Sequence, residues 1–408
     1  MRSCTVPELL VTGLGVTTAV GQGKAAFVEA LMVGRHAFRI MQRPGRQRDS
    51  AYIGAEIEAL AFPEGIGKRL QRSASFTAQT ALVTLLEAWA EAGLATCDPR
   101  RIGLVVGGSN VTQREQLLTY AKYADKPTFI SPTYGLTFMD SDICGLCTEQ
   151  VGIQGAAHTA GGASASGQLA LIQAAQAVQS GQLDACIALG VVMDVSYLEL
   201  GAFQALGALG SERYGQAPEL ACRPFDRGRD GFIFGEGCAA IVIENADSVA
   251  RRQVRPYARL AGYAVAMDGN RNPNPSLDGE MSAIRSALSA AGVSPQEIDY
   301  INPHGSGSLV GDEIELQAIR GCGLDHAYIN TTKSITGHGL TAAGAIEAAA
   351  LLLQMRQSQL HPSRNLDDPI DAGMNWVRGQ SVAHRVRHAC NLSLGFGGIN
   401  TAAVFSYV

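Results

Sequence analysis

Charge is what this chain has least of. Asp, Glu, Lys and Arg make up 17% of its 408 residues, and aromatic residues only 6%. A disordered chain carries more charge and less apolar content; with 46% hydrophobic residues this one can bury a sizeable core. The net charge of −5 comes without a basic stripe, which removes the electrostatic basis for nucleic-acid binding. No apolar run reaches the ~18–20 residues of a spanning helix, so no membrane segment is expected. The start, MRSCTVPELLVTG, lacks a charged segment followed by an apolar one. No signal peptide is read there, and a cytoplasmic location is expected. The nine cysteines are scattered and odd in number, which suits reduced thiols. Cys144 and Cys147 form a CxxC with no second pair, so no metal site is expected.

Glycine, by contrast, is abundant, with 47 residues. That exceeds the average usage of about 7%, so many backbone positions must turn tightly or approach a neighbour closely. Apolar runs at 8–16, 101–110, 184–194, 237–246 and 257–266 read as buried strands. Segments 23–34, 75–94 and 276–293 read as helices with glycine at or near their ends. Residues 111–150 show little period and are expected to be loops with a short helix. Alternating strands and helices argue for an α/β class. A second round begins near Arg251, and two segments look alike: HTAGGASASGQLALIQAAQAV and KSITGHGLTAAGAIEAAALLL. Both are small-residue loops opening a buried helix, which suggests an internal duplication with halves at 1–250 and 251–408.

Two of the eight histidines lie in glycine-rich loops at strand ends, His304 in NPHGSGS and His338 in KSITGHGLTAAGA. A histidine pair can donate two hydrogen bonds to one oxygen, which suits an enolate or oxyanion. Ser166, followed by Gly167, reads as a helix N-cap. Ser164 reads two ways: as a small loop residue, or as a nucleophile favoured by the helix N-terminus behind it. The turn GFGGIN (395–400) is a hairpin that could also donate backbone N–H groups, with Phe396 as a gate. RPFDRGRDGFIFGEG (223–237) has more charge and glycine than a strand connection requires.

In order, VTGLGVTTAVGQG, RPFDRGRDGFIFGEG, NPHGSGS with GDEIEL, KSITGHGLTAAGAIEA and GFGGINTAAV resemble the β-ketoacyl-ACP synthases of the thiolase-like superfamily. The resemblance covers nearly the whole chain. It implies a thiolase-like five-layer αβαβα sandwich of two similar halves and a homodimer. It places His304 and His338 on the family's two catalytic histidines and Lys333 on the lysine before the second. Glu347 matches the following glutamate, with Asp312 as structural support. Phe396 matches the gate, with Gly397 and Ser166 beside the oxyanion and substrate site. The family's cysteine pattern, A-C-x-S-G, is here Ala163-Ser164-Ala165-Ser166-Gly167, so Ser164 stands at the nucleophile position.

That substitution divides the chemistry. A serine hydroxyl ionises far less readily than a thiol and needs a strong general base, so acyl loading and condensation should fail or slow greatly. Loss of CO₂ from a malonyl thioester needs only a site for the enolate. The chain most resembles the stand-alone decarboxylating synthase homologues of polyketide β-branching cassettes, which carry serine in a G-x-S-x-S-G context. That implies conversion of malonyl-ACP to acetyl-ACP with no cofactor of its own, the substrate riding on the phosphopantetheine arm of an acyl carrier protein. Expected pathway partners are a 3-hydroxy-3-methylglutaryl synthase homologue and enoyl-hydratase homologues. The rival readings are a serine-dependent acyltransferase and a non-condensing partner subunit like a chain-length factor. Intact histidine motifs weigh against the latter.

Overall fold

The central strands bury both faces, and the alternation of their side chains shows what covers each. The computed structural model describes residues 7–210, 212–271 and 273–408. In the strand Gly237–Asn245, Ala239, Ile241 and Ile243 join one buried cluster, while Cys238, Ala240 and Val242 join another. In Ile399–Ser406, Ala403 and Phe405 join that same first cluster, while Ala402 and Val404 join a third. Period-two alternation therefore sandwiches each sheet between two apolar layers.

The outer layer of the first half contains helices α1 (Phe76–Ala92) and α2 (Ser141–Val151). The central layer, shared by both sheets, contains α3 (Ser166–Gln179) and α6 (Ala343–Gln357). The outer layer of the second half contains α4 (Leu277–Ala291) and α5 (Gly311–Gly321). This is the five-layer αβαβα sandwich that the family resemblance implies.

The strands of the first half are β1 (Leu9–Thr18), β2 (Ile102–Gly107), β3 (Ala157–Ala160), β4 (Ala185–Gly190) and β5 (Gly237–Asn245). Those of the second are β6 (Ala258–Met267), β7 (Tyr300–Asn302), β8 (Tyr328–Ile329), β9 (His388–Gly395) and β10 (Ile399–Ser406). Their spatial orders are β1-β5-β4-β2-β3 and β6-β10-β9-β7-β8. In both halves the first two pairings are antiparallel and the next two parallel. The five-strand topology repeats, the second half adding the two-residue strand Asn375–Trp376 parallel to β8, and β1 pairs with β6 to join the halves.

The repeat extends to a detail. Register slips between Val11 and Gly13 in β1, and between Leu260 and Gly262 in β6. A Cβ on Gly13 would lie 2.5 Å from Ala88 O, and one on Gly262 2.5 Å from Ala287 O. Each outer helix thus lies on a bulge that only glycine leaves open.

The segment 111–150 departs from the loop expectation. It forms the helices Gln113–Tyr123, Tyr134–Thr137 and α2. The first buries only Arg114, so it carries no apolar period for a sequence reading to detect. Cys144 and Cys147 face the outer apolar cluster from α2. Burial pushes the Cys144 thiol up to about 11 and Cys147 well above its ordinary value. Among the described residues no helix is long and apolar enough to cross a membrane.

Candidate active site

The two central helices approach each other at glycines. A Cβ on Gly167 would lie 2.8 Å from Ala345 N, and one on Gly344 would lie 3.0 Å from Gln168 N. A short 3₁₀ turn leads into each helix, Ala163–Ala165 and Leu340–Ala342. Each turn opens on a non-glycine residue with positive φ, Ala163 at 47° and Leu340 at 48°. Such backbone is strained and persists only where the surroundings fix it.

Ser164 and Thr341 are therefore equivalents in the two halves, yet they differ in freedom. Thr341 Oγ1 donates to Val191 O at 2.7 Å. The Ser164 carbonyl accepts from Ser393 Oγ at 3.4 Å, while its hydroxyl has no partner among the described residues. Ser164 lines a cavity of about 340 Å³ together with His304 and His338. Neither histidine is hydrogen-bonded to it.

Ser166 is not the N-cap that the sequence suggests. It is the first residue of α3, and Ala165 holds the cap position without a side-chain bond. The Ser166 hydroxyl turns back instead, donating to Ala163 O at 2.7 Å and accepting from Gly162 N at 2.9 Å. It pins the strained turn from behind, fully buried and outside the cavity lining.

His304 follows β7 on a loop held by two carboxylates of α5. Glu315 accepts from His304 N at 2.5 Å and Gly305 N at 2.8 Å. Asp312 accepts from Gly307 N at 3.0 Å and Phe225 N at 2.7 Å. Burial pushes Asp312 up to about 6 and Glu315 up to about 8. Asp312 was expected as a support; Glu315 was not. Its signal lay in GDEIEL, where two acids three apart share the buried face of a helix with Leu316 and Ile319.

His338 is clamped through its backbone. Its N–H donates to Ile233 O at 2.7 Å, and its carbonyl accepts from Gly235 N at 3.1 Å. A Cβ on Gly235 would lie 2.0 Å from Thr336 O, so only glycine permits this approach. The next residue, Glu236, pairs at 2.7 Å with each of Arg43 and Arg46. Within RGRDGFIFGEG, Gly235 thus admits the His338 loop, while Arg229 donates to Leu309 O at 2.6 Å and pairs with Glu313 at 3.0 Å, beyond the His304 loop.

The ring nitrogens are set by donors. Leu340 N–H donates to His338 Nδ1 at 3.1 Å, which assigns the His338 proton to Nε2. His304 Nδ1 lies 3.4 Å from the Lys333 ammonium, which also donates to His304 O and pairs with Glu347. With a donor at Nδ1, His304 likewise carries its proton on Nε2. The two rings meet edge-on, centroids 5.3 Å apart at 81°. Burial first, then the Lys333 charge, lowers both histidines well below their ordinary value. They are neutral imidazoles, each with an N–H free for a group in the cavity.

Glu347 stands behind Lys333, buried and outside the cavity lining; burial pushes it up to about 7 against the pull of the ammonium. Phe396 lines the cavity mouth and is 42% exposed. Its ring meets Phe203 at 6.4 Å, Phe203 meets Phe232 at 5.5 Å, and Phe232 meets His338 at 5.2 Å. Gly397 has φ 93° in the same turn but does not line the cavity, whereas Gly395 and Gly398 do.

This fold, with two histidine loops facing a strained turn at a helix start, defines a ketosynthase-type active site. The chain belongs to the β-ketoacyl synthase family: its N-terminal domain family matches residues 7–248 and its C-terminal domain family residues 257–367. It is 58% identical over 402 residues to the polyketide biosynthesis malonyl-ACP decarboxylase PksF of Bacillus subtilis (strain 168), covering 98% of this chain and 97% of that one. It is 30% identical to 3-oxoacyl-[acyl-carrier-protein] synthase 2 of Coxiella burnetii, covering 98% and 99%. Among solved structures, a β-ketoacyl synthase from Burkholderia phymatum superposes with a TM-score of 0.89 at 26% identity, covering 98% and 100%. A type II polyketide ketosynthase, bound to a hexaketide and in complex with its acyl carrier protein, superposes with a TM-score of 0.87 at 27% identity, covering 99% and 100%.

Proposed function

We propose that this protein decarboxylates malonyl-ACP to acetyl-ACP and does not condense. One observation carries the reading: two neutral Nε2–H donors face a cavity in which the nucleophile position is a serine hydrogen-bonded to neither histidine. The malonyl thioester enters on the carrier's phosphopantetheine arm. As CO₂ leaves, negative charge moves to the thioester oxygen, where His304 and His338 hold it. One such donor is worth about 3 kcal/mol in other enzymes. Burial and Lys333, itself paired with Glu347, keep His304 neutral and in the right tautomer. Asp312 and Glu315 fix its loop. With no acyl group waiting on Ser164, the carbanion takes a proton.

The acyl carrier protein is the macromolecular partner, and no resident cofactor takes part. A homodimer belongs to the proposal: β3 ends the sheet order, and residues 120–139 expose Tyr120, Phe129 and Leu136. We place the boundary between the duplicated halves at 250/251, and the protein in the cytoplasm of a cell making a β-branched polyketide. There the acetyl unit would feed the hydroxymethylglutaryl synthase and enoyl-hydratase homologues. Incubation with malonyl-ACP followed by intact-mass spectrometry tests the activity. Acetyl-ACP is expected, and unchanged malonyl-ACP would refute it.

A further inference from the structure

Two acids that line the cavity have no part in the chemistry above: Asp268, which accepts from Asn400, and Glu280, whose Oε1 has no partner. Glu280, in the first turn of α4, lines the same cavity as His304 and His338 and is 2% exposed. Its carboxyl makes no hydrogen bond among the described residues, and its Oε1 is buried without a partner. A buried carboxylate left unpaired is costly; a neutral carboxylic acid is much less so. The charged groups acting on it are all acidic: Glu315 and Asp312 on α5, and Asp268 directly after β6. Burial and these neighbours push it up to about 9. Asp268 is itself held by Asn400 Nδ2 at 2.7 Å.

The proposed reaction needs such a group. When the malonyl C–C bond breaks, its electron pair stays with the thioester fragment, and one proton must be added at the carbanion carbon to give acetyl. The histidines are poor sources, because a neutral imidazole that gives up its N–H becomes an imidazolate. Lys333 is turned toward Glu347 and the His304 carbonyl.

Resting on the decarboxylase reading, we infer that Glu280 is the acid that protonates the carbanion. Its O–H bond breaks, the new C–H bond forms, and a proton from bulk solvent, relayed by water entering the cavity, restores the carboxylic acid before the next turnover. Its neutral resting form also admits an anionic malonyl group without repulsion.

The experiment follows malonyl-ACP turnover in equal H₂O and D₂O, reading both the rate and the deuterium content of the acetyl methyl group. Glu280→Gln is expected to slow acetyl-ACP formation on the order of 10²-fold at unchanged KM and to change the methyl deuterium ratio. Acetate added to Glu280→Ala is expected to restore part of the lost rate. If the wild type makes no acetyl-ACP, the decarboxylase reading itself fails. If the wild type makes it and Glu280→Gln matches its rate and isotope ratio, the inference about Glu280 fails alone. A slow Glu280→Ala that acetate does not restore assigns the residue a structural role and likewise overturns the inference.

Discussion

At the scale of single residues, the proposed division of labour is between a serine that loads poorly or not at all and histidines that stabilise the enolate. Changing Ser164 to Cys restores a thiol at the strained turn. Acyl uptake from acyl-ACP should rise by on the order of 10²-fold or more, seen as a covalent adduct by intact mass. Ser164→Ala should leave decarboxylation within about threefold of wild type, measured as acetyl-ACP formed per second. His304→Ala and His338→Ala should each lower kcat by about 10²- to 10³-fold, the cost of one lost oxyanion donor. Because both imidazoles are lowered in pKa, the active neutral form should persist below pH 6.5, and the kcat/KM profile should show no acid limb there. His304, His338, Lys333 and Ser164 were legible because each sits in a motif with a distinctive neighbour pattern. Ser166 was misread: serine before a helix usually caps it, and only the turned-back hydroxyl shows that it pins the loop instead. Glu280 was not legible at all, since an acid in a helix's first turn reads as dipole compensation.

At the scale of elements, function depends on how closely backbones approach. The His338 loop lies against Ile233–Gly235, and Gly235 has no room for a side chain. Gly235→Ala should therefore cost about 3 kcal/mol or more and lower decarboxylation together with Tm; a melt at wild-type temperature with full activity would contradict the clamp. Strands and long helices were readable from period and glycine ends. The helix Gln113–Tyr123 was not, because a helix that buries one arginine offers no apolar stripe. The likeness of the two helix-opening loops was visible, but the matching bulges at Gly13 and Gly262 needed the strand register.

At the scale of the whole molecule, buried acids should leave a mark on stability. Burial raises Glu280, Glu315 and Glu347 to about 9, about 8 and about 7 from an ordinary value of 4.5. Within those windows the native state keeps protons that the unfolded chain has released. Stability therefore falls as pH rises, by about 1.4 kcal/mol per pH unit for each group in its window. The lowered histidines His304, His338 and His361 act oppositely, but only below pH 6.5. From pH 7 to pH 9 Tm should thus decline, and Glu280→Gln should flatten the decline; a level wild-type curve would contradict the buried-acid account. The duplicated five-layer architecture was legible through the order of five motif blocks, whereas its five-strand repeat emerged only from the sheet order. The central claim is that the site keeps decarboxylation and has lost condensation. The most direct measurement offers the protein malonyl-ACP and an acyl-ACP together and follows every carrier species by mass. Acetyl-ACP should accumulate while the acyl-ACP stays intact and Ser164 stays unmodified. A β-ketoacyl-ACP product, or malonyl-ACP left unconsumed, would contradict it.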